Sequence, residues 1–210
     1  MPTKQHRDDL VRKARRHFKK ADPKMARIMA QIELPFSVIR CSQFEELVRI
    51  IIAQQLSGKA AQTIAGRVRG LCPSGKITLP ELQKVTDTKL RSVGLSGAKT
   101  TAVRDLIAHI EDGRLSTRRF GRMDDEAIIE AITQVKGLGP WSAQMYLMFV
   151  LMRPDIFSPG DLGIRSAIRR IYDVDHETTD IDIFGERWKP FRTVACWYLW
   201  AFLGSDLAKE

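Results

Sequence analysis

Apolar residues recur with helical spacing along most of the chain, and this periodicity is the feature that most limits the fold. From Phe44 to Ile51 the apolar residues fall at positions i, i+3, i+4 and i+7, and the segments 102–110, 128–135 and 186–204 are similarly apolar. No run of alternating strand residues separated by hairpin turns accompanies them. The pattern therefore predicts an all-α fold of about eight to ten helices joined by short Gly- and Pro-containing connections.

The composition is that of a globular protein with excess positive charge. The chain has 210 residues, of which 44% are hydrophobic, and a net charge of +9. Its apolar runs are too short to span a membrane, and its N-terminus lacks the apolar stretch of a secretory signal, so we expect a soluble intracellular protein. Much of the excess charge lies in the basic segment 12–20. Such a segment suits a polyanionic partner but is equally typical of a solvated helix face.

The metal-binding residue types are too scattered to form a site. The cysteines have no C-x-x-C spacing, and the histidines are equally dispersed: Cys41, Cys72, Cys196, His6, His17, His109 and His176. We therefore expect neither a disulfide framework nor a metal site made of side chains.

A short Gly/Pro segment, KGLGPWSAQ, interrupts two helical patterns near the middle of the chain. Gly137 and Gly139 permit backbone angles with φ > 0, and Pro140 suits the first turn of a helix. The segment predicts a helix, a four-residue hairpin and a second helix. Free N–H groups at such a turn can hold a phosphate oxygen, although most Gly-x-Gly turns between helices are only structural.

Three segments together carry a resemblance to a known family. They begin at Phe44, Val135 and Arg187 and read FEELVRIIIAQQLSGKAAQTIAGRV, VKGLGPWSAQMYLMFVLMRPDIFSPGDLGIRSAIRR and RWKPFRTVACWYLW. In this order they resemble the helix-hairpin-helix and Gly/Pro-Asp signature of the base-excision DNA glycosylases, specifically the 3-methyladenine branch (AlkA-like or MAG-like). The resemblance implies a two-lobed, all-α glycosylase fold with the active site in the cleft between lobes. It further implies a central lobe over residues 43–153 and a second lobe over 1–42 and 154–210.

The resemblance makes Asp161, in SPGDLGI, the catalytic carboxylate. Without it, an Asp after Pro-Gly and before a helical pattern would be interpreted as a helix N-cap, and the two roles are compatible. A carboxylate about 4 Å from the positive charge that develops on the sugar would stabilise it by roughly 4 kcal/mol at an effective dielectric constant of about 20. That energy corresponds to about a thousandfold in rate.

The resemblance also assigns the base pocket. It gives Trp200 the stacking role and places Trp141 and Met145 beside it, whereas aromatic residues on apolar helices are ordinarily core residues. In the bifunctional relatives the position of Trp141 holds the lysine that forms a Schiff base, which tryptophan cannot form. We therefore expect no AP-lyase activity. Met145 stands where some relatives carry a pocket tyrosine.

Further positions are implied to contact DNA. Gln55 and Leu56 are implied to form the wedge that fills the gap left in the DNA stack by the extruded base, with Gln54 supporting the loop. The alternative interpretation of this segment is a plain helix-to-helix turn with Leu56 in the core. The implied contacts to the DNA backbone are Lys136, Gly137, Gly139, Ser142, Ser57 and Lys59. The carbonyls that match a structural Na⁺ or K⁺ site in relatives are those of Thr133, Val135 and Leu138. No catalytic cofactor is expected, and three dispersed cysteines exclude the iron-sulfur cluster of another branch.

The sequence therefore predicts a monofunctional DNA glycosylase that excises alkylated purines, such as 3-methyladenine and 7-methylguanine, from double-stranded DNA. We expect a monomer that acts in the bacterial cytoplasm or nucleoid, or in a eukaryotic nucleus. Three alternatives stay open: a glycosylase for ethenoadenine or hypoxanthine, a non-catalytic protein that binds damaged DNA, and a protein-interaction scaffold.

Overall fold

The computed structural model describes residues 2–35, 41–174 and 179–208, and His176 lies outside them. Helices and loops make up these residues, and no β-strand occurs in them, which confirms the predicted all-α class. The same ranges contain twelve α-helices, more than the sequence predicted. Three of the twelve are only five or six residues long, which is too short for a periodic apolar pattern to be recognised.

The helices follow one another with short connections. In chain order they are α1 (Lys4–Ala21), α2 (Pro23–Gln31), α3 (Gln43–Ala53), α4 (Gly58–Gly70), α5 (Leu79–Lys84), α6 (Asp87–Ser92), α7 (Gly97–Glu111), α8 (Asp125–Thr133), α9 (Pro140–Tyr146), α10 (Leu162–Tyr172), α11 (Ile181–Gly185) and α12 (Arg192–Leu203). Short 3₁₀ segments occupy Thr117–Arg122, Glu186–Trp188 and Asp206–Ala208, and a π-helical turn occupies Leu147–Leu151. No helix in the described ranges is long and apolar enough to cross a membrane.

The described residues divide into two compact units. The first contains residues 2–35, 147–174 and 179–208, and the second contains residues 41–146. The lobe boundaries that the resemblance implies stay a prediction.

The first unit is built around α12. This helix is apolar on nearly every side and is buried continuously from Thr193 to Leu199, so it needs neighbours around it. It packs against α10, α2 and α1. Phe18 of α1 and Trp188 are both fully buried in the same unit. The first and last parts of the chain therefore share one core.

The second unit is built around α3, whose apolar side chains are buried by α4, α7 and α9. Leu47, Val48, Ile51 and Ile52 are completely buried. Each such side chain contributes about 2 kcal/mol through burial relative to exposure. The turn after α3 and the connection between α8 and α9 both adjoin this packed core.

The connection between α8 and α9 covers residues 134–139, two more than predicted. The difference arises because the chain tightens after α8. The Val135 amide donates to the Ile132 carbonyl at 3.1 Å, and the Leu138 amide donates to the Val135 carbonyl at 2.9 Å. Such i to i+3 bonds are typical of helix ends, and Pro140 begins α9 as expected.

Candidate active site

Asp161 caps the N-terminus of α10. Its Oδ1 accepts a hydrogen bond from the Ile164 amide at 2.9 Å and a second one from the indole Nε1 of Trp200, also at 2.9 Å. The amide of Asp161 donates to the Ser158 carbonyl at 3.1 Å, which closes the turn before the helix. The carboxylate is therefore fixed by its own turn and by a residue of α12. The positive end of α10 also favours a negative charge at this place.

Gly163 allows Asp161 and Trp200 to approach each other. A Cβ atom on Gly163 would lie 3.1 Å from Asp161 Oδ1 and 3.1 Å from Trp200 Cδ1. These distances are shorter than ordinary van der Waals contacts, so any larger residue would push the carboxylate and the indole apart. Gly163 was not recognised as a site residue from the sequence pattern. Its only signal was a glycine near the start of a helix, where glycine is otherwise unfavourable.

Trp200 belongs to an aromatic stack within the first unit. The Phe149 ring stacks on Trp200 with centroids 5.7 Å apart and an interplanar angle of 29°, and on Trp197 with centroids 6.2 Å apart. Trp197 is fully buried, whereas Phe149 and Trp200 are half-buried. Phe149 was not recognised as a site residue from the sequence, because it lies in an uninterrupted apolar run. The π-helical turn that contains it cannot be recognised from apolar spacing alone.

Two other side chains adjoin Asp161 in different ways. Leu162 directly follows it and is 82% exposed. Cys196, by contrast, is fully buried, and burial raises the pKa of its thiol far above the ordinary value. The thiol is therefore neutral and unsuited to act as a nucleophile. Of these two residues, only Leu162 can touch a ligand.

The hairpin between α8 and α9 presents unused amides. Gly137 has φ +83°, and the Lys136 amide before it is held by Asp105 Oδ2 at 2.7 Å. The amides of Gly137 and Gly139 have no hydrogen-bond acceptor within the described part of the chain. Lys136 itself is exposed. Amides without an acceptor and a cation next to a helix N-terminus suit a phosphate group.

Gln54 ties the turn after α3 to this hairpin. Its side-chain Nε2 donates to the Gly137 carbonyl at 2.8 Å and to Ser142 Oγ at 3.0 Å. Ser142 is only 1% exposed. Its hydroxyl therefore accepts a hydrogen bond inside the protein. A contact between Ser142 and DNA stays a prediction.

The turn between α3 and α4 projects its side chains into solvent. Gln55 is exposed and has φ +55°, in the left-handed region that non-glycine residues rarely adopt. Leu56 is 39% exposed, so it does not belong to the core. Ser57 and Lys59 are also exposed, although Ser57 Oγ accepts the Ala60 amide as the cap of α4. The roles predicted for these four residues stay predictions.

The remaining predicted positions lie on α9 and around the hairpin. Trp141 is half-buried and Met145 is 6% exposed. The carbonyl of Val135 accepts the Leu138 amide, whereas the described residues provide no hydrogen bond to the carbonyls of Thr133 and Leu138. Across the described ranges, no cluster of three or more His, Cys, Asp or Glu side chains could hold a metal ion. Any cation here would have to be held by backbone oxygens.

The predicted site residues thus fall into two groups, one in each unit. The first unit joins Asp161 to Trp200 and adds Gly163, Phe149 and Leu162. The second unit contains the other predicted positions: Trp141, Met145, Gln55, Leu56, Ser57, Lys59, Lys136, Gly137, Gly139, Ser142, Thr133, Val135 and Leu138.

Comparison with known proteins gives consistent matches. DNA-3-methyladenine glycosylase 1 of Schizosaccharomyces pombe is 34% identical over 161 residues, which cover 75% of this chain and 71% of that protein. DNA-3-methyladenine glycosylase of Saccharomyces cerevisiae is 34% identical over 152 residues, which cover 69% of this chain and 51% of that protein. The solved structure of the S. pombe 3-methyladenine DNA glycosylase in complex with abasic DNA superimposes with a TM-score of 0.82 at 28% identity, covering 92% of this chain and 98% of that one.

A family model also matches most of the chain. The model of the HhH-GPD superfamily base excision DNA repair proteins matches residues 48–193. This range includes the turn after α3, the hairpin and the capped start of α10. The chain therefore belongs to the HhH-GPD superfamily of base excision DNA repair proteins.

Proposed function

We propose that this protein is a monofunctional DNA glycosylase that extrudes an alkylated purine from duplex DNA and hydrolyses its N-glycosidic bond. The observation that supports this most is Asp161, which the Ile164 amide and the Trp200 indole hold at the start of α10. The relatives named above are called DNA-3-methyladenine glycosylases, which supports the proposal. The products are the free base and an abasic site, with the strand left intact.

Asp161 acts on the sugar. As the bond to the base breaks, positive charge develops on the deoxyribose ring, and the carboxylate stabilises it by roughly 4 kcal/mol at about 4 Å. Water then adds to C1′, and its proton passes to Asp161 or to solvent. Purines such as 3-methyladenine and 7-methylguanine already carry positive charge, so they leave without a general acid. One carboxylate is therefore sufficient.

Aromatic side chains hold the extruded base. A cationic purine is attracted to the electron-rich face of an indole, which makes Trp200 and Trp141 the binding surfaces. Phe149 keeps the Trp200 ring in place by stacking on it. Met145 adapts the pocket to different methylated bases because its side chain is flexible. The exposed side chain of Leu162 contacts the nucleotide beside Asp161.

The second unit binds the DNA. The amides of Gly137 and Gly139, with Lys136, hold a phosphate group, and Ser57 and Lys59 contact the backbone nearby. Gln55 and Leu56 enter the stack that the extruded base has left. The protein acts as a monomer, in the bacterial cytoplasm or nucleoid, or in a eukaryotic nucleus.

The hairpin also binds a monovalent cation through the carbonyls of Thr133, Val135 and Leu138. Two of these carbonyls carry no hydrogen bond within the described residues, and carbonyl oxygens suit Na⁺ or K⁺. Replacing K⁺ by tetramethylammonium at equal ionic strength should therefore weaken binding to a short abasic duplex, because the larger ion cannot enter. Equal affinities in the two salts would argue against the cation.

Asp161→Asn tests the catalytic assignment. Asparagine is a good N-cap and can still accept the Trp200 N–H, so the fold and DNA binding should be kept. Loss of the negative charge should slow base release about a thousandfold. The measurement is chromatography of bases released from methylated DNA, with strand integrity checked before and after alkali.

The outcomes separate the open alternatives. Release of methylated purines by wild type only, with strands intact until alkali, supports the proposal. If the protein releases only ethenoadenine or hypoxanthine from duplexes with single lesions, its substrates are those lesions and not methylated purines. Lesion binding without any release would identify a non-catalytic damage-binding protein. Equal loss of binding and release in Asp161→Asn would make Asp161 a structural cap.

A further inference from the structure

Lys99 occupies an electrostatically unfavourable position in its own helix. It lies in the first turn of α7, which Ser96 caps by accepting the Lys99 amide at 3.3 Å. The N-terminus of a helix is its positive end, where a cation is disfavoured, and the first turn of α7 contains no acidic residue. The local sequence therefore gives no reason for a lysine at this place.

The Lys99 side chain instead donates hydrogen bonds to carbonyls at the C-terminal end of α3. Its Nζ donates to the Ile52 carbonyl at 2.7 Å and to the Gln54 carbonyl at 2.9 Å. Ile52 lies in the last turn of α3 and Gln54 follows that helix, so the helix itself supplies no amide to these carbonyls. They carry the negative end of the helix dipole, which favours a cation. Burial lowers the pKa of the Lys99 ammonium group, in line with its partial removal from water.

Gln54 is thus held at both ends. Lys99 binds its main-chain carbonyl, and the Gly137 carbonyl and Ser142 Oγ bind its side-chain amide. The next residue, Gln55, is in the left-handed region at φ +55°. Such a conformation persists in a non-glycine residue only where surrounding contacts impose it. The contacts of Gln54 supply that constraint.

We propose that Lys99 is a positioning residue that holds the turn 54–57 in the shape needed for base extrusion. Through Gln54, this turn is locked to the hairpin at Gly137 and Ser142. Binding of a phosphate at the hairpin therefore sets the position of Gln55 and Leu56. This inference rests on the proposed glycosylase function. It assigns Lys99 a role in extruding the base, and none in binding DNA or in cleaving the N-glycosidic bond.

Lys99→Met tests the proposal because methionine has a similar length but no donor. Base release from a 7-methylguanine paired with cytosine should slow about tenfold, the effect of losing a hydrogen bond to a charged group. Release from the same lesion opposite an abasic site should change less than about threefold, because little pairing remains to be broken. Affinity for an undamaged duplex should be nearly unchanged. Lys99→Arg, which keeps the charge and the donors, should restore most of the paired-lesion rate.

Lys89→Met is the matched control, since Lys89 is an exposed lysine on α6 of the same unit. It should leave the rates on both substrates unchanged. The ratio of paired to unpaired rates does not depend on the fraction of folded protein, so it stays informative if Lys99→Met is less stable. Gln54→Leu should lower the same ratio, because it breaks the link to the hairpin.

The two proposals fail in different ways. If wild-type protein releases no base from either substrate, the glycosylase function is wrong. If wild type is active and Lys99→Met slows both substrates equally, or neither, then Lys99 does not act on extrusion. A large loss of duplex affinity in Lys99→Met would instead make Lys99 a direct contact to the DNA backbone, and would overturn the positioning role.

Discussion

At the scale of single residues, the site depends on how closely Asp161, Trp200 and Gly163 approach one another. Asp161 Oδ1 accepts a hydrogen bond from Trp200 Nε1 at 2.9 Å, and a Cβ atom on Gly163 would lie 3.1 Å from each of the two side chains. The sequence identified Asp161 and Trp200 as candidates by resemblance. It did not indicate that the two residues bind each other, because 39 positions separate them in the chain.

Gly163→Ala should impair catalysis without unfolding the protein. The new methyl group would displace the carboxylate and the indole by a few tenths of an ångström, which should lower kcat roughly three- to tenfold. The free energy of unfolding should change by less than about 1 kcal/mol, because the helix preference of alanine offsets the cost of the tight contacts. Single-turnover base release and thermal unfolding measure the two effects. Gly160→Ala is the control, because its Cβ meets nothing within 4 Å, and it should behave as wild type.

At the scale of elements, the hairpin depends on one glycine more than on the other. Gly137 has φ +83°, and its added Cβ would lie 3.0 Å from the Cβ of Ala102 in α7. Gly139 has neither constraint. Both glycines stand in the same short turn, so their places in the sequence do not distinguish them. The left-handed backbone of Gly137 and its packing against α7 distinguish them.

Gly137→Ala should therefore destabilise the protein by about 2 kcal/mol, the combined cost of a left-handed alanine and of a tight contact. Gly139→Ala should change the free energy of unfolding by less than about 0.5 kcal/mol. Urea unfolding followed by circular dichroism gives both values. Equal losses in the two variants would contradict this account of the hairpin.

At the scale of the whole molecule, buried polar bonds join distant parts of the chain. Asp22, at the start of α2, is buried and accepts hydrogen bonds from Tyr172 Oη at 2.6 Å and from Trp188 Nε1 at 2.8 Å. These partners lie 150 and 166 positions further along the chain. Because a buried carboxylate is stable only when its hydrogen bonds are satisfied, this cluster fixes how the N-terminal and C-terminal helices of the first unit pack.

The sequence by itself determined the features that depend on neighbours within a few residues. Helical periodicity, the capping Asp161, the glycine hairpin and Pro140 at the start of α9 are local, since the backbone conformation and capping chemistry that define them act over one turn. For the same reason the all-α class could be predicted, whereas the short helices could not.

Only the tertiary structure decided which distant groups meet. The bond of Gln54 to Gly137 and the bond of Lys99 to Gln54 join residues 83 and 45 positions apart, and the stack of Phe149 on Trp200 joins two separate apolar segments. Apolar periodicity tells which side of a helix is buried, but it does not tell which helix covers it. The physical reason is that burial is non-directional, while hydrogen bonds and close glycine contacts are specific in distance and direction.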